Sequence, residues 1–188
     1  LSKDESVRGK QLEVLQSSAD VGVFGELQKL YQSVSEIAAQ QRLPLVTIAL
    51  SSMRQLSKNQ YQLFRGNFKT LVEIDKKMSL LEWSLQKIVM HSLDAVFGKA
   101  EASYFRKKNL KSCKKSVSVL LSILTHSTVQ DGMLNEETFT AGADELKMSL
   151  QLMAVSKIDF DTLNNALDDL VDLKPLQKAA LLKACVRC

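Results

Sequence analysis

The chain has 188 residues, 45% of them hydrophobic and 24% charged, with a formal net charge of +4. That is enough apolar material to bury a core without disulfide or metal staples, while 7 glycines and 2 prolines are too few turn-makers for a strand-rich fold. The longest apolar stretch, Leu43 to Leu50, is interrupted by Thr47 and is far shorter than the about 20 residues of a membrane span.

In chain order the spacing of apolar residues predicts about eight helices: 5–17, 22–39, 44–55, 58–74, 80–97, 110–127, 135–147 and 160–188, the last broken near 172–174. Leu27, Leu30, Tyr31, Val34 and Ile37 form one stripe. Phe64, Phe68, Leu71 and Val72 form a second, and Leu81, Leu85, Ile88 and Val89 a third. Two more run through Val117, Leu120, Leu121 and Leu124, and through Leu163, Ala166, Leu167 and Leu170. Each is the apolar face of a helix that must be buried against others. No window alternates with a period of two. The fold class is therefore all-α, a multi-helix bundle.

Local signals punctuate these elements. Pro44 and Pro175 are expected to open helices, where a missing N–H is harmless. Ser79 and Glu82 have the spacing of a capping box, and Ser57 and Asp161 are further N-cap candidates. The stretch from Gly98 to Asn109 is the expected boundary. It divides a first helical subdomain (1–98) from a basic connector (99–109) and a second subdomain (110–188). Laying 57–71 on 174–188 without gaps gives a candidate internal repeat, with Phe64 on Leu181, Phe68 on Cys185 and Leu71 on Cys188. The bundle would then be two related subdomains.

A search for chemistry finds little. His91 and His126 are far apart, and no His-Glu-x-x-His is present, so hydrolytic zinc has no ligand set. Cys185 and Cys188 form a CxxC without the βαβ context of redox work, and are read as helix-buried cysteines. With Cys113 they make an odd count, which fits a reducing compartment rather than a disulfide framework. No nucleophile elbow or phosphate loop exists. Catalytic and cofactor residues are accordingly none. Asp75 and Glu82 flank an acidic turn and are the metal candidates, although Lys76 and Lys77 stand where a cation site wants oxygens and glycine.

Charge is more informative. Arg106, Lys107, Lys108, Lys111, Lys114 and Lys115 crowd six cations into one run; without them the net charge would be −2. The run is a candidate surface for anionic lipid headgroups. Nucleic acid is disfavoured, because Tyr104 and Phe105 alone supply aromatics for stacking.

The order of several segments carries a resemblance. These are Arg42-Leu43-Pro44-Leu45, Ala49-Leu50, Leu56-Ser57 through Phe64, Leu71-Val72-Glu73-Ile74-Asp75 and Ser79-Leu80-Leu81-Glu82-Trp83-Ser84-Leu85. Phe139-Thr140-Ala141-Gly142, Leu163-Asn164-Asn165-Ala166-Leu167, Leu173-Lys174-Pro175-Leu176-Gln177-Lys178 and Leu181-Leu182-Lys183-Ala184-Cys185 follow. From about Gln11 onward the chain resembles the C-terminal region of bacterial HtpX-like integral-membrane zinc metalloproteases. The turn and acidic helix also look like TerB-like helical domains. The resemblance implies a non-catalytic appendage on the cytoplasmic side of the bacterial inner membrane. Its zinc, its His-Glu-x-x-His and its transmembrane helices would lie upstream in the parent. Its partners would be proteins or substrates of the parent protease in membrane protein quality control. The alternative implied is a TerB-like metal-binding stress-response domain. A first residue other than Met and an end at Cys188 within a helical pattern both fit a piece of a longer protein.

Overall fold

The computed structural model describes residues 1–2, 4–75, 79–98, 108–128 and 132–188, except for the side chains of 132–134. Among them are nine α-helices, two short 3-10 helices and no strand. The chain divides into two compact units, Leu1–Glu101 and Ala102–Cys188.

The first unit contains α1 (Glu5–Ser18), α2 (Val23–Ser35), α3 (Ala39–Met53), α4 (Lys58–Ile74) and α5 (Leu80–Val96). Polar caps set several of the starts. Asp4 accepts the amides of Ser6 and Val7 at the head of α1. Both Ser57 with Gln60 and Ser79 with Glu82 form complete capping boxes. α1 packs on α4 and α3 on α5. The core joins Leu50, Tyr61, Val89 and Leu93, with Phe64, Met90 and Phe97 against it. Tyr61 and Phe97 stack with centroids 4.3 Å apart and planes 8° from parallel. The Tyr61 hydroxyl donates to Asp94, whose carboxylate also faces Arg65 Nε at 3.5 Å.

Side-chain amides join α1 to α4. Buried Gln11 donates to the Leu71 carbonyl at 3.0 Å and accepts from the Ser2 amide at 2.7 Å. Asn67 donates to the Ser18 carbonyl at 3.0 Å, one of the end-of-helix carbonyls that lack an intrahelical partner. The pairing of 11 with 71 and 18 with 67 makes the two helices antiparallel.

The second unit is built round α6 (Lys114–Thr128), which continues from a 3-10 turn at Leu110–Cys113. α7 (Gly132–Glu145), α8 (Phe160–Val171) and α9 (Pro175–Arg187) pack against it. Its core includes Cys113, Val117, Leu121, Phe139, Leu170, Leu173, Leu181 and Ala184. The chain enters beside the α8–α9 junction. Lys108 N–H donates to the Asp172 carbonyl at 3.1 Å, and Lys174 N–H to the Lys108 carbonyl at 3.2 Å. Gln177 Oε1 takes the Leu110 amide at 3.1 Å. This clamp lies where the last helical stripe is interrupted, as the spacing predicts.

Several boundaries differ from expectation. Pro44 does not open a helix: α3 begins five residues earlier, at Ala39, with Pro44 inside it. A single proline so near a helix start removes one hydrogen bond, which the apolar packing of Val46 and Leu50 tolerates. The expected 22–39 helix ends instead at Ser35. Asp161 is not an N-cap. Asp159 is, accepting the Thr162 amide at 2.7 Å, because α8 already begins at Phe160. In the proposed repeat, Ser57 and Lys174 do occupy equivalent N-cap positions. The helices they begin have different neighbours, α4 lying on α1 and α9 on α7.

Gly142 lets α7 and α9 approach: a Cβ there would stand 2.4 Å from Cys188 Sγ and 3.2 Å from the Ala184 carbonyl oxygen. Helix propensity favours alanine over glycine by about 1 kcal/mol, but overpacking costs about 1–3 kcal/mol. Gly142→Ala should therefore lower stability in urea unfolding, and adding Cys188→Ala should restore most of the loss. Burial, reinforced by Asp94, raises the Tyr61 pKa to about 12. The neutral phenol is favoured in the fold, so its contribution is complete below the unfolded pKa of about 10 and is lost as pH rises through the folded value. The stability gap between the wild type and Tyr61→Phe should shrink between about pH 10 and pH 12, followed by denaturant titration at each pH.

Candidate functional site

The described residues of the predicted basic run stand in different settings. Arg106 and Lys107 lie outside the described residues. Lys108 is tied into the fold: its Nζ lies 2.6 Å from Asp169 Oδ1 and 3.8 Å from Asp172 Oδ2. Hydrogen bonding to Asp169 raises the Lys108 pKa, and the same bond lowers that of Asp169. Ser116 Oγ donates to the other Asp169 oxygen at 2.6 Å. Lys111, Lys114 and Lys115 are exposed.

Asp75 and Glu82 do line one cleft of the first unit, together with Gln11, Phe68, Leu85 and Val89. Glu82 is committed locally, however. Its Oε2 accepts the Ser79 amide at 2.8 Å and the Ser79 hydroxyl at 2.7 Å. Among the described residues no group of three or more His, Cys, Asp or Glu could hold a metal ion. His126 Nε2 instead meets the Met153 carbonyl at 2.8 Å. Burial pushes the Cys185 thiol up to about 11, with Cys188 adding to the effect, and also raises Cys113 and Cys188. All three thiols are free and stay protonated near neutrality, which suppresses nucleophilic or ligating use.

Two apolar openings of the first unit flank α2, a helix with no fully buried residue. Arg8 seats it: the guanidinium lies 5.6 Å from the Tyr31 ring centroid and donates to the Tyr31 hydroxyl at 3.3 Å. On one side of α2, Leu27, Leu30, Tyr31 and Val34 face Leu45, Val46 and Leu85 across a cleft of about 460 Å³. On the other, Val23 and Leu27 face Leu15, Met53, Phe64 and Phe68 across about 350 Å³. Leu30 remains 56% exposed and Val34 47%. The stripe through Leu27, Leu30, Tyr31 and Val34 was legible in the sequence. Its incomplete burial was not, because periodicity shows which face is apolar and not how well a partner covers it.

No family model matches the chain, and neither a curated protein nor a solved structure matches it. No helix among the described residues is long and apolar enough to cross a membrane.

Lys108 and Lys111 give a direct comparison within the basic run. Lys108→Ala should lower the melting temperature slightly by removing the ion pairs to Asp169 and Asp172 while leaving the backbone clamp in place, whereas Lys111→Ala should leave it unchanged in the same calorimetric scan.

Proposed function

We propose that the chain is a non-catalytic interaction domain that controls, or presents substrates to, a membrane-anchored zinc metallopeptidase, with the peptidase chemistry in another part of the same protein. The observation that carries the reading is the pair of apolar clefts on either side of α2. Grooves of this kind accept the apolar face of an amphipathic or partly unfolded segment, giving affinity by burial and register by pockets at helical spacing. The ordered resemblance of the segments from Arg42 to Cys185 supplies the parent, and with it the proposed place on the cytoplasmic face of a bacterial inner membrane.

A TerB-like metal site at Asp75 and Glu82 is the weaker reading, since Glu82 is already occupied by the Ser79 cap. Calorimetric titration with Ca²⁺, Mg²⁺ and Zn²⁺ separates the two, because only the metal reading predicts heat that Asp75→Ala removes.

Two measurements test the leading reading. The open reading frame should encode a His-Glu-x-x-His and several apolar spans ahead of this region, and a frame without them would overturn the parentage. In the complete protein, Leu30→Glu with Val34→Glu should leave the unfolding midpoint nearly unchanged, both sites being half exposed. The pair should reduce degradation of unfolded membrane substrates while sparing cleavage of a short peptide. Equal activity of wild type and variant on both substrates would sink the proposed role of the clefts.

A further inference from the structure

The observations that carry furthest lie in the second unit, along one face of α6. Lys114, Lys115, Ser118, Ser122 and His126 recur there at helical spacing. The segment 148–154 runs over this face and is fastened at one residue. Ser122 Oγ accepts the Met153 amide at 2.9 Å, and His126 Nε2 meets the Met153 carbonyl at 2.8 Å. One turn before Ser122 the fastening stops. Ser118 is 6% exposed, yet its hydroxyl has no hydrogen-bond partner among the described residues. The oxygen keeps some accessible surface, since the fully buried unpartnered side-chain oxygens among the described residues are those of Thr125 and Asn135.

A cleft of about 600 Å³ opens at that point. Lys114, Lys115 and Ser118 form one wall, and Gln151, Met153 and Lys157 stand on the other. No carboxylate lines it. Asp169 is turned to another side of α6, where it holds Lys108 and Ser116. None of the three lysines of the cleft is in an ion pair among the described residues.

We propose that this cleft binds a phosphate group. Three lysines on two walls, with Gln151 and Ser118 in the same lining beside apolar Leu152 and Ala154, suit an anion whose acceptors point in several directions. A tetrahedral phosphate dianion has that form, and a planar carboxylate does not. The Ser118 hydroxyl, which lines the cleft, is a further donor to it. The cleft differs from the basic run read in the sequence: it excludes Lys108 and adds Lys157 and Gln151, which lie far along the chain and are brought in by the Met153 fastening.

The test is a calorimetric and amide-shift titration of the full chain with inorganic phosphate at low ionic strength. Alongside it, the chain is sedimented with phosphatidylcholine vesicles with and without phosphatidic acid. Lys115→Ala and Lys157→Ala should each weaken phosphate binding by about tenfold, the scale of one charge-assisted contact. Lys111→Ala, in the same basic run but outside the cleft, should bind as the wild type does. Amide shifts should centre on Ser118 and Gln151. Binding of free phosphate supports a soluble ligand. Binding only of phosphatidic acid vesicles, with the same dependence on Lys157, supports a lipid headgroup as the source of the same chemistry. Loss of binding in Lys111→Ala equal to that in Lys157→Ala, or binding by neither probe, would overturn the proposal.

Discussion

A helix buried over most of its circumference has to find partners for its polar side chains inside the fold, and α6 is such a helix. Val117, Ser118, Val119, Leu121, Ser122 and Thr125 are all buried. The hydroxyl of Ser122 resolves part of this constraint by taking the amide of Met153, which draws an irregular segment against the helix. With the His126 contact to the Met153 carbonyl and the core packing of Met148, Leu150 and Leu152, that bond holds the path between α7 and α8 opposite Lys114 and Lys115. Replacing the hydroxyl by a methyl would leave a backbone amide unmatched, a loss larger than the bond itself contributes.

The first unit solves the same problem at its helix ends. Gln11 and Asn67 reach across the α1–α4 interface to carbonyls near the ends of the opposite helices. Such bonds fix register as well as satisfaction, since an amide side chain can meet only one carbonyl at the correct height. Tyr61 does comparable work in the core, holding Asp94 where Arg65 also reaches it.

How much of this was legible in the sequence depended on the kind of signal. The stripes at Phe64–Val72 and Leu163–Leu170 marked α4 and α8 because a period of 3.6 has no strand equivalent. The capping box at Ser79 was readable for the same reason, being local and stereotyped. Pro44 misled, because proline marks a helix start only on average and the packing of Leu50 carries α3 through it. Asp159 and Asp161 stand two residues apart and offer the same capping chemistry, so spacing alone does not separate them. Of the charged groups, the run near Lys111 was visible, but its division was not. Lys108 was withdrawn by Asp169, sixty-one residues away, and Lys157 was added by a loop. Neither pairing has a local sequence signature.

The loose seat of α2 also bears on how the first unit unfolds. A helix anchored by one guanidinium contact and a partly covered stripe contributes little to the cooperative core, and elements of this kind open locally at less than the cost of global unfolding. The free-energy cost of lifting it is a small part of the cost of unfolding the unit. Leu15, Met53, Phe64 and Phe68 beneath it can therefore be uncovered by local opening while the α3–α5 pair stays intact.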